Sequence, residues 1–255
     1  MASTDVQKSS LGGWAKSIFD IVAIVLVVMA AKTAIAEPFY VPSGSMEPTL
    51  LIGDELIATK YPYGYSSASL PAIFSLPPSP RILGALPQRG DVVVFRWPGD
   101  RSQVWVKRVI GLPGDRIAMR GGHVVVNGEV ARWKSDGLGQ MENETGSHTP
   151  TQQLIETLPG GRTHAIYKMV AREPLDTMPE VTVPPGHLFV MGDNRDNSAD
   201  SRVPVDAGGV GMLPIDDLVG RLDAVVVSWD LGLKNDPVWT WLSGLRLSRF
   251  FSAVN

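Results

Sequence analysis

The stretch QVWVKRVIGLPGD, residues 103–115, reads as a β-strand that ends in a turn. Val104, Trp105, Val106, Val109 and Ile110 are β-branched or aromatic, and Pro113-Gly114-Asp115 stops the run. Inside it stands a cation, Lys107, on the same strand face as Trp105 and Val109. The surroundings of that lysine should be dry.

Similar short runs lie on either side: DVVVFR (91–96), Arg116–Met119, Val124–Val126 before the turn Asn127-Gly128, and Leu188–Met191. Gly, Pro and Asp turns separate them, so the chain is expected to be mainly β. RIAMRGGHVVVNGE (116–129) is a hairpin candidate with Gly121-Gly122 at its turn. Two regions interrupt the strands. Residues 62–88, rich in Pro, Ser, Gly and Leu, read as a long loop, and 134–184 as an inserted subdomain or long loops. That divides the main β domain into a first part, 37–133, and a second, 185–230, followed by an amphipathic tail, 231–255. Within the tail, VWTWLSGLRLSRFF (238–251) joins aromatics to Arg246 and Arg249, a composition suited to a membrane interface or to a helix packed on its own domain.

Composition removes several classes of function. The chain has 255 residues, 44% of them hydrophobic, enough for a real core. Its net charge is −3 with scattered Lys and Arg, so no nucleic-acid partner is expected. There is no cysteine, which removes disulfides, thiolate metal sites and cysteine catalysis. The four histidines, His123, His148, His164 and His187, stand apart and form no HExxH helix, so neither a metal nor a cofactor is expected.

Residues 1–36 do not belong to that core. From Ile18 to Ala36 the chain reads IFDIVAIVLVVMAAKTAIA, about 19 mostly apolar residues, or roughly 28 Å as a helix at ~1.5 Å per residue. The expectation is one transmembrane α-helix after a short cytoplasmic N-terminus, because Lys8 and Lys16 precede it. A cleaved secretory signal is the rival, since Ala34-Ile35-Ala36 has the small-x-small form of a cleavage site. Both readings export the rest of the chain.

PSGSMEPTL (42–50) places two serines around one glycine with no histidine or aspartate beside them. A serine alcohol needs a positioned base to act as a nucleophile. Ser45 lacks the GxSxG elbow, and none of the eight lysines has a serine three residues before it. A lysine from another strand remains, and Lys107 is the best of the eight. An exposed lysine with a pKa near ~10.4 is neutral in about one molecule in a thousand near pH 7 to 7.5, whereas burial lowers the pKa by ~3–5. Read alone, Lys107 serves equally well as half of a structural ion pair.

FYVPSGSMEPTLLIGD (39–54), RGDVVVFRWP (89–98), VKRVIGLPGD (106–115) and GDNRDNSADSR (192–202) resemble, in order, the boxes of type I signal peptidases. These are membrane-anchored serine-lysine proteases that remove signal peptides from exported proteins. The resemblance implies an antiparallel β catalytic domain with an inserted subdomain, preceded by one transmembrane helix. It implies Ser45 as nucleophile, neutral Lys107 as general base, and the Ser43 hydroxyl with the Ser45 N–H as oxyanion hole. Ser198 would orient the lysine, with Asp200 and Arg202 as a supporting salt bridge. Phe39, Met46, Leu56, Val94 and Val106 would form apolar pockets for small residues one and three before the cut. Partners would be preprotein signal peptides and membrane lipid. The expected location is a bacterial cytoplasmic membrane, single-pass, with the catalytic domain on the outer, periplasmic side. One tension follows: strict alternation sets Val106 on the strand face opposite Lys107, so both reach the site only through strand twist or a substrate paired along the strand edge.

Overall fold

The computed structural model describes residues 8–70, 76–142, 148–169, 173–235 and 237–254. The first seven residues and parts of the loop at 62–88, the insertion and the tail lie outside them. Helix α1 (Lys8–Ala34) leads into β1 (Ala36–Tyr40), β2 (Asp54–Thr59), β3 (Val92–Trp97) and β4 (Asp100–Gly111). Seven strands then fill the interval before the chain returns: β5 (Arg116–Arg120), β6 (His123–Val126), β7 (Glu129–Val130), β8 (Arg132–Glu142), β9 (His148–Thr157), β10 (Thr163–Lys168) and β11 (Met178–Thr182). β12 (His187–Met191), β13 (Leu213–Pro214), β14 (Leu218–Ser228) and β15 (Ser252–Ala253) complete it.

The main sheet has eight strands in the order β1-β2-β14-β3-β4-β12-β13, with β15 added on β14, and its pairings are antiparallel. The mainly β expectation therefore holds. The run VVVF of β3 does not alternate because both faces are covered. Val92 and Val94 pack with Met46, Leu56 and Leu222, while Val93 and Phe95 pack with Val109, Leu188 and Leu218. At ~1.5–3 kcal/mol for each fully buried large apolar side chain, this central strand anchors the sheet.

Gly121-Gly122 turns the hairpin as read, both with positive φ, 58° and 84°. The hairpin, however, joins β7 and β11 in a four-stranded sheet of its own, and β8–β10 form a three-stranded one. The smaller sheets thus begin at Arg116, ahead of the boundary expected at 134. They form because Ile117, Met119, Val124 and Val126 share a core with Ile110, Phe189 and Met191 of the main sheet.

Two sequence expectations change at the ends of the chain. Among the described residues, no helix is long and apolar enough to cross a membrane. Helix α1 nonetheless exposes Ile18, Phe19, Ile21, Val22, Ile24, Val25, Leu26, Val27 and Val28. The tail is neither an α-helix nor a free amphipathic segment; it folds as 3-10 turns and β15. Its arginines point inward: Arg249 Nη2 binds Asp54 Oδ2 at 2.5 Å and Arg246 Nη1 donates to Ile52 O at 2.8 Å. Trp239, Leu242, Leu247 and Phe251 stay exposed.

Candidate active site

Ser45 sits in a one-turn 3-10 helix, Gly44–Met46, just beyond β1. The preceding residue, Ser43, is extended (φ −136°, ψ 154°) and makes no capping bond with its hydroxyl. The turn is held from the far side of the sheet by the segment after β12. Asn194 N donates to Ser45 O at 3.2 Å, and Asn194 Nδ2 donates to Gly44 O at 2.9 Å.

Lys107 reaches this turn from β4, with Nζ 2.7 Å from Ser45 Oγ. It is 4% exposed, and its Nζ lies 5.6 Å from the centroid of the Trp105 ring. Burial pushes its pKa down from 10.5 to about 8; Asp200 and Asp193 pull it back up, and Arg202 adds to the lowering. About a tenth of the amine is thus neutral at pH 7, against well under a thousandth for an exposed lysine, and that neutral form has a lone pair able to accept a proton from the serine.

Asp200 and Arg202 form the expected pair, with Nε–Oδ1 at 2.9 Å and Nη2–Oδ2 at 2.8 Å. Burial works to raise the Asp200 carboxyl, but the Arg202 charge and its bonds outweigh that and hold it below the usual range. Gly192 N donates to the same carboxylate at 3.0 Å. Ser198 is buried, yet its Oγ has no hydrogen-bond partner, so the bond to Lys107 implied by the resemblance is not formed here. Instead the Ser198 hydroxyl and the Ser45 carbonyl both crowd Gly192. A Cβ there would lie 2.3 Å from Ser198 Oγ and 2.5 Å from Ser45 O, so only glycine fits.

Beside the dyad runs a cleft of about 730 Å³, walled by Tyr40 to Met46, Leu50, Gln103 to Lys107, Asn197 and Ala199. Of the five expected pocket residues, Met46 and Val106 line it. Leu56 and Val94 are buried in the core behind it, and Phe39 packs against that core, so these three support the wall without forming it. Leu50 and Val104 take their place in the lining.

The tension over Val106 resolves at the strand edge. Trp105 and Val109 lie with the core that includes Val93, while Val104 and Val106 lie with the opposite core. Alternation is therefore intact. β4 pairs with β12 only from Arg108 to Gly111, so among the described residues the outer edge of Gln103–Lys107 has no strand partner. The cleft follows this edge, and side chains of both faces border it.

Sequence reasoning missed two elements of the site. Asn194, which grips the Ser45 turn, looks like any Asx-turn residue. Arg108 is buried and pairs with Asp193, Nε–Oδ1 2.8 Å and Nη2–Oδ2 2.7 Å, next to the lysine. A second cation directly after Lys107 in an apolar strand was the available signal, because a buried guanidinium requires an acid. The aspartates of GDNRDNSADSR are each engaged by a cation: Asp193 by Arg108, Asp196 by Lys168, Asp200 by Arg202.

A buried strand lysine 2.7 Å from a serine hydroxyl, beside a strand edge with no partner among the described residues, is an arrangement suited to cutting extended peptides. Residues 12–229 match the family described as signal peptidase, peptidase S26. "Signal peptidase I" of Rickettsia typhi is 34% identical over 89% of this chain and 89% of that protein. "Signal peptidase I" of Pseudomonas aeruginosa is 39% identical over 88% of this chain and 75% of its own length; that of Pseudomonas fluorescens is 40% identical over 85% and 72%. A solved signal peptidase I from Enterococcus faecalis is 26% identical over 54% of this chain and 97% of that one, with a TM-score of 0.33. The chain belongs to the signal peptidase family, peptidase S26, and is a protease of the signal peptidase I type.

Proposed function

We propose that the chain is a membrane-anchored serine endopeptidase that cuts signal peptides from exported preproteins after small-x-small motifs, with Ser45 as nucleophile and neutral Lys107 as base. The observation that carries this reading is the 2.7 Å contact between Lys107 Nζ and Ser45 Oγ, with the lysine buried. Lys107 takes the hydroxyl proton as Ser45 Oγ attacks the scissile carbonyl, then passes it to the leaving amine; water repeats the sequence on the acyl-enzyme. The Ser45 N–H and Ser43 hydroxyl receive the developing oxyanion. Ser198 orients the lysine once the site closes on substrate; its hydroxyl, buried and without a hydrogen-bond partner in this structure, is available for that role.

A substrate strand added to the free edge of Gln103–Lys107 would turn alternate side chains, those one and three before the cut, toward the wall of Met46, Leu50, Val104 and Val106. Large residues at those two positions would collide with it. We assign α1 to an anchor in membrane lipid, because its large apolar side chains between Ile18 and Val28 are exposed, with no cover among the described residues of this chain. The catalytic domain then faces the outer side of a bacterial cytoplasmic membrane. The test is cleavage of a preprotein by the detergent-solubilised chain, which Ser45→Ala and Lys107→Ala should each abolish, since nucleophile and base act as one unit. Substantial activity in either variant would sink the assignment.

A further inference from the structure

The three-stranded sheet β8–β10 contributes nothing to the dyad, yet it sends a buried carboxylate toward it. Glu156, on β9, is fully buried, as is Arg195 of the segment that follows β12. Arg195 Nη1 donates to Glu156 Oε1 at 2.9 Å, and Nη2 donates to Oε2. Trp133 Nε1 donates to Oε1 at 2.9 Å, and His164 Nε2 lies 3.3 Å from Oε2. Burial would raise the Glu156 carboxyl, but the Arg195 charge and these bonds hold it well below the usual range.

The rest of Arg195 faces the active site. Its Nε donates to Gly192 O at 3.1 Å, and its own carbonyl accepts from Arg202 Nη2 at 2.7 Å. Gly192 is the residue where any Cβ would collide with the Ser45 carbonyl and Ser198, and whose N–H donates to Asp200. β10 adds backbone bonds to the same segment: Tyr167 N to Asp193 O and Arg195 N to Tyr167 O, both 3.0 Å. A continuous chain of contacts therefore runs from Glu156 through Arg195 to Gly192 and the nucleophile turn.

We propose that Glu156 and Arg195 are positioning residues: the inserted sheet clamps Arg195, and Arg195 fixes Gly192 and so the relative placement of Ser45, Lys107 and Ser198. The inference rests on the serine-lysine reading above. A buried ion pair is weak evidence for stability, because desolvation offsets much of its attraction. Its geometry here is specific, because one guanidinium joins a carboxylate of one sheet to a carbonyl beside the nucleophile of another.

The experiment measures kcat, KM and the thermal midpoint of the full chain in detergent for Glu156→Gln, for the double variant Glu156→Leu with Arg195→Leu, and for Ser45→Ala. In Glu156→Gln, kcat should fall by about 10- to 100-fold while KM stays within about twofold, as a small displacement of reacting groups dictates. The double variant leaves no unpaired buried charge, so its midpoint should recover toward wild type. Its kcat should stay low, because Gly192 O has lost its donor. Recovery of wild-type kcat in the double variant would overturn the proposal, as would full kcat in Glu156→Gln. Failure of both to fold would make the pair a support of the fold, and would equally overturn it. If Ser45→Ala retains cleavage, the serine-lysine reading itself falls; if it is dead while Glu156→Gln is fully active, only the clamp falls.

Discussion

Replacing Lys107 by methionine should make the protein more stable while destroying its activity, and the gain should depend on pH. Burial lowers the lysine pKa from 10.5 in the unfolded chain to about 8 in the folded protein. Between those values the unfolded chain binds the extra proton, so stability rises with pH across the window from about 8 to 10.5. Below it the folded protein carries a buried ammonium, a penalty of about 3 kcal/mol at 1.36 kcal/mol per pH unit. Methionine has similar length and no charge, so Lys107→Met removes that penalty. It also removes the bond to Ser45 Oγ, whose net contribution is about 1 kcal/mol. At pH 7 the variant should be more stable by about 2 kcal/mol, and toward pH 10 the advantage should vanish or reverse. Urea denaturation of both proteins in detergent at several pH values reads this directly, because other titrating groups cancel in the difference. The wild-type kcat/KM should follow the same group, rising about tenfold per pH unit and levelling near pH 8. A stability difference that stays constant from pH 7 to 10, or a kinetic limb near 10.5, would refute the argument that the lysine is desolvated.

Ser43→Ala should lower kcat by roughly 10²–10³ with little change in KM, the loss expected for one oxyanion donor, and Ser43→Thr should keep part of the rate. The pH limb should stay in place in both; a displacement of about a unit or more would mean that Ser43 orients Lys107, and the roles of Ser43 and Ser198 would be exchanged. For topology, protease applied to the outer side of sealed membranes should digest the β domain and spare the segment bearing Lys8 and Lys16. A mature protein that begins at Glu37 would instead support the signal-peptide reading.

Much of the strand pattern was legible because these segments are β-branched and separated by Gly, Pro or Asp, so local pattern alone locates β3, β4 and β12 of the main sheet and β5 and β6 of the four-stranded one. The chemistry of Lys107 was legible for a related reason. A cation flanked by Val and Trp within a strand points to burial, and burial lowers its pKa, but a carboxylate partner raises it again, so the ion-pair reading stayed open until the fold supplied the neighbours. Its juxtaposition with Ser45 was not, because the two are 62 residues apart and only the resemblance of four boxes joined them. The pocket assignment erred where composition is symmetric. Val94 lies in a run buried on both faces, and such a run does not reveal which apolar side chains border a cleft and which lie one layer behind. The tail stayed open between two readings for a similar reason: an arginine beside aromatics suits a lipid phosphate or a buried aspartate, and Asp54, 195 residues away, supplied the anion for Arg249. Glu156 belongs with these. On β9 it simply alternates with Gln153 and Ile155 as any outward acid would, and only the packing of that sheet against the segment after β12 turns it inward, where Arg195 waits 39 residues further along the chain. Residues that carry out chemistry leave a local trace in their burial, whereas residues that hold them in place leave a trace only in pairs, and the pairs are made by the fold.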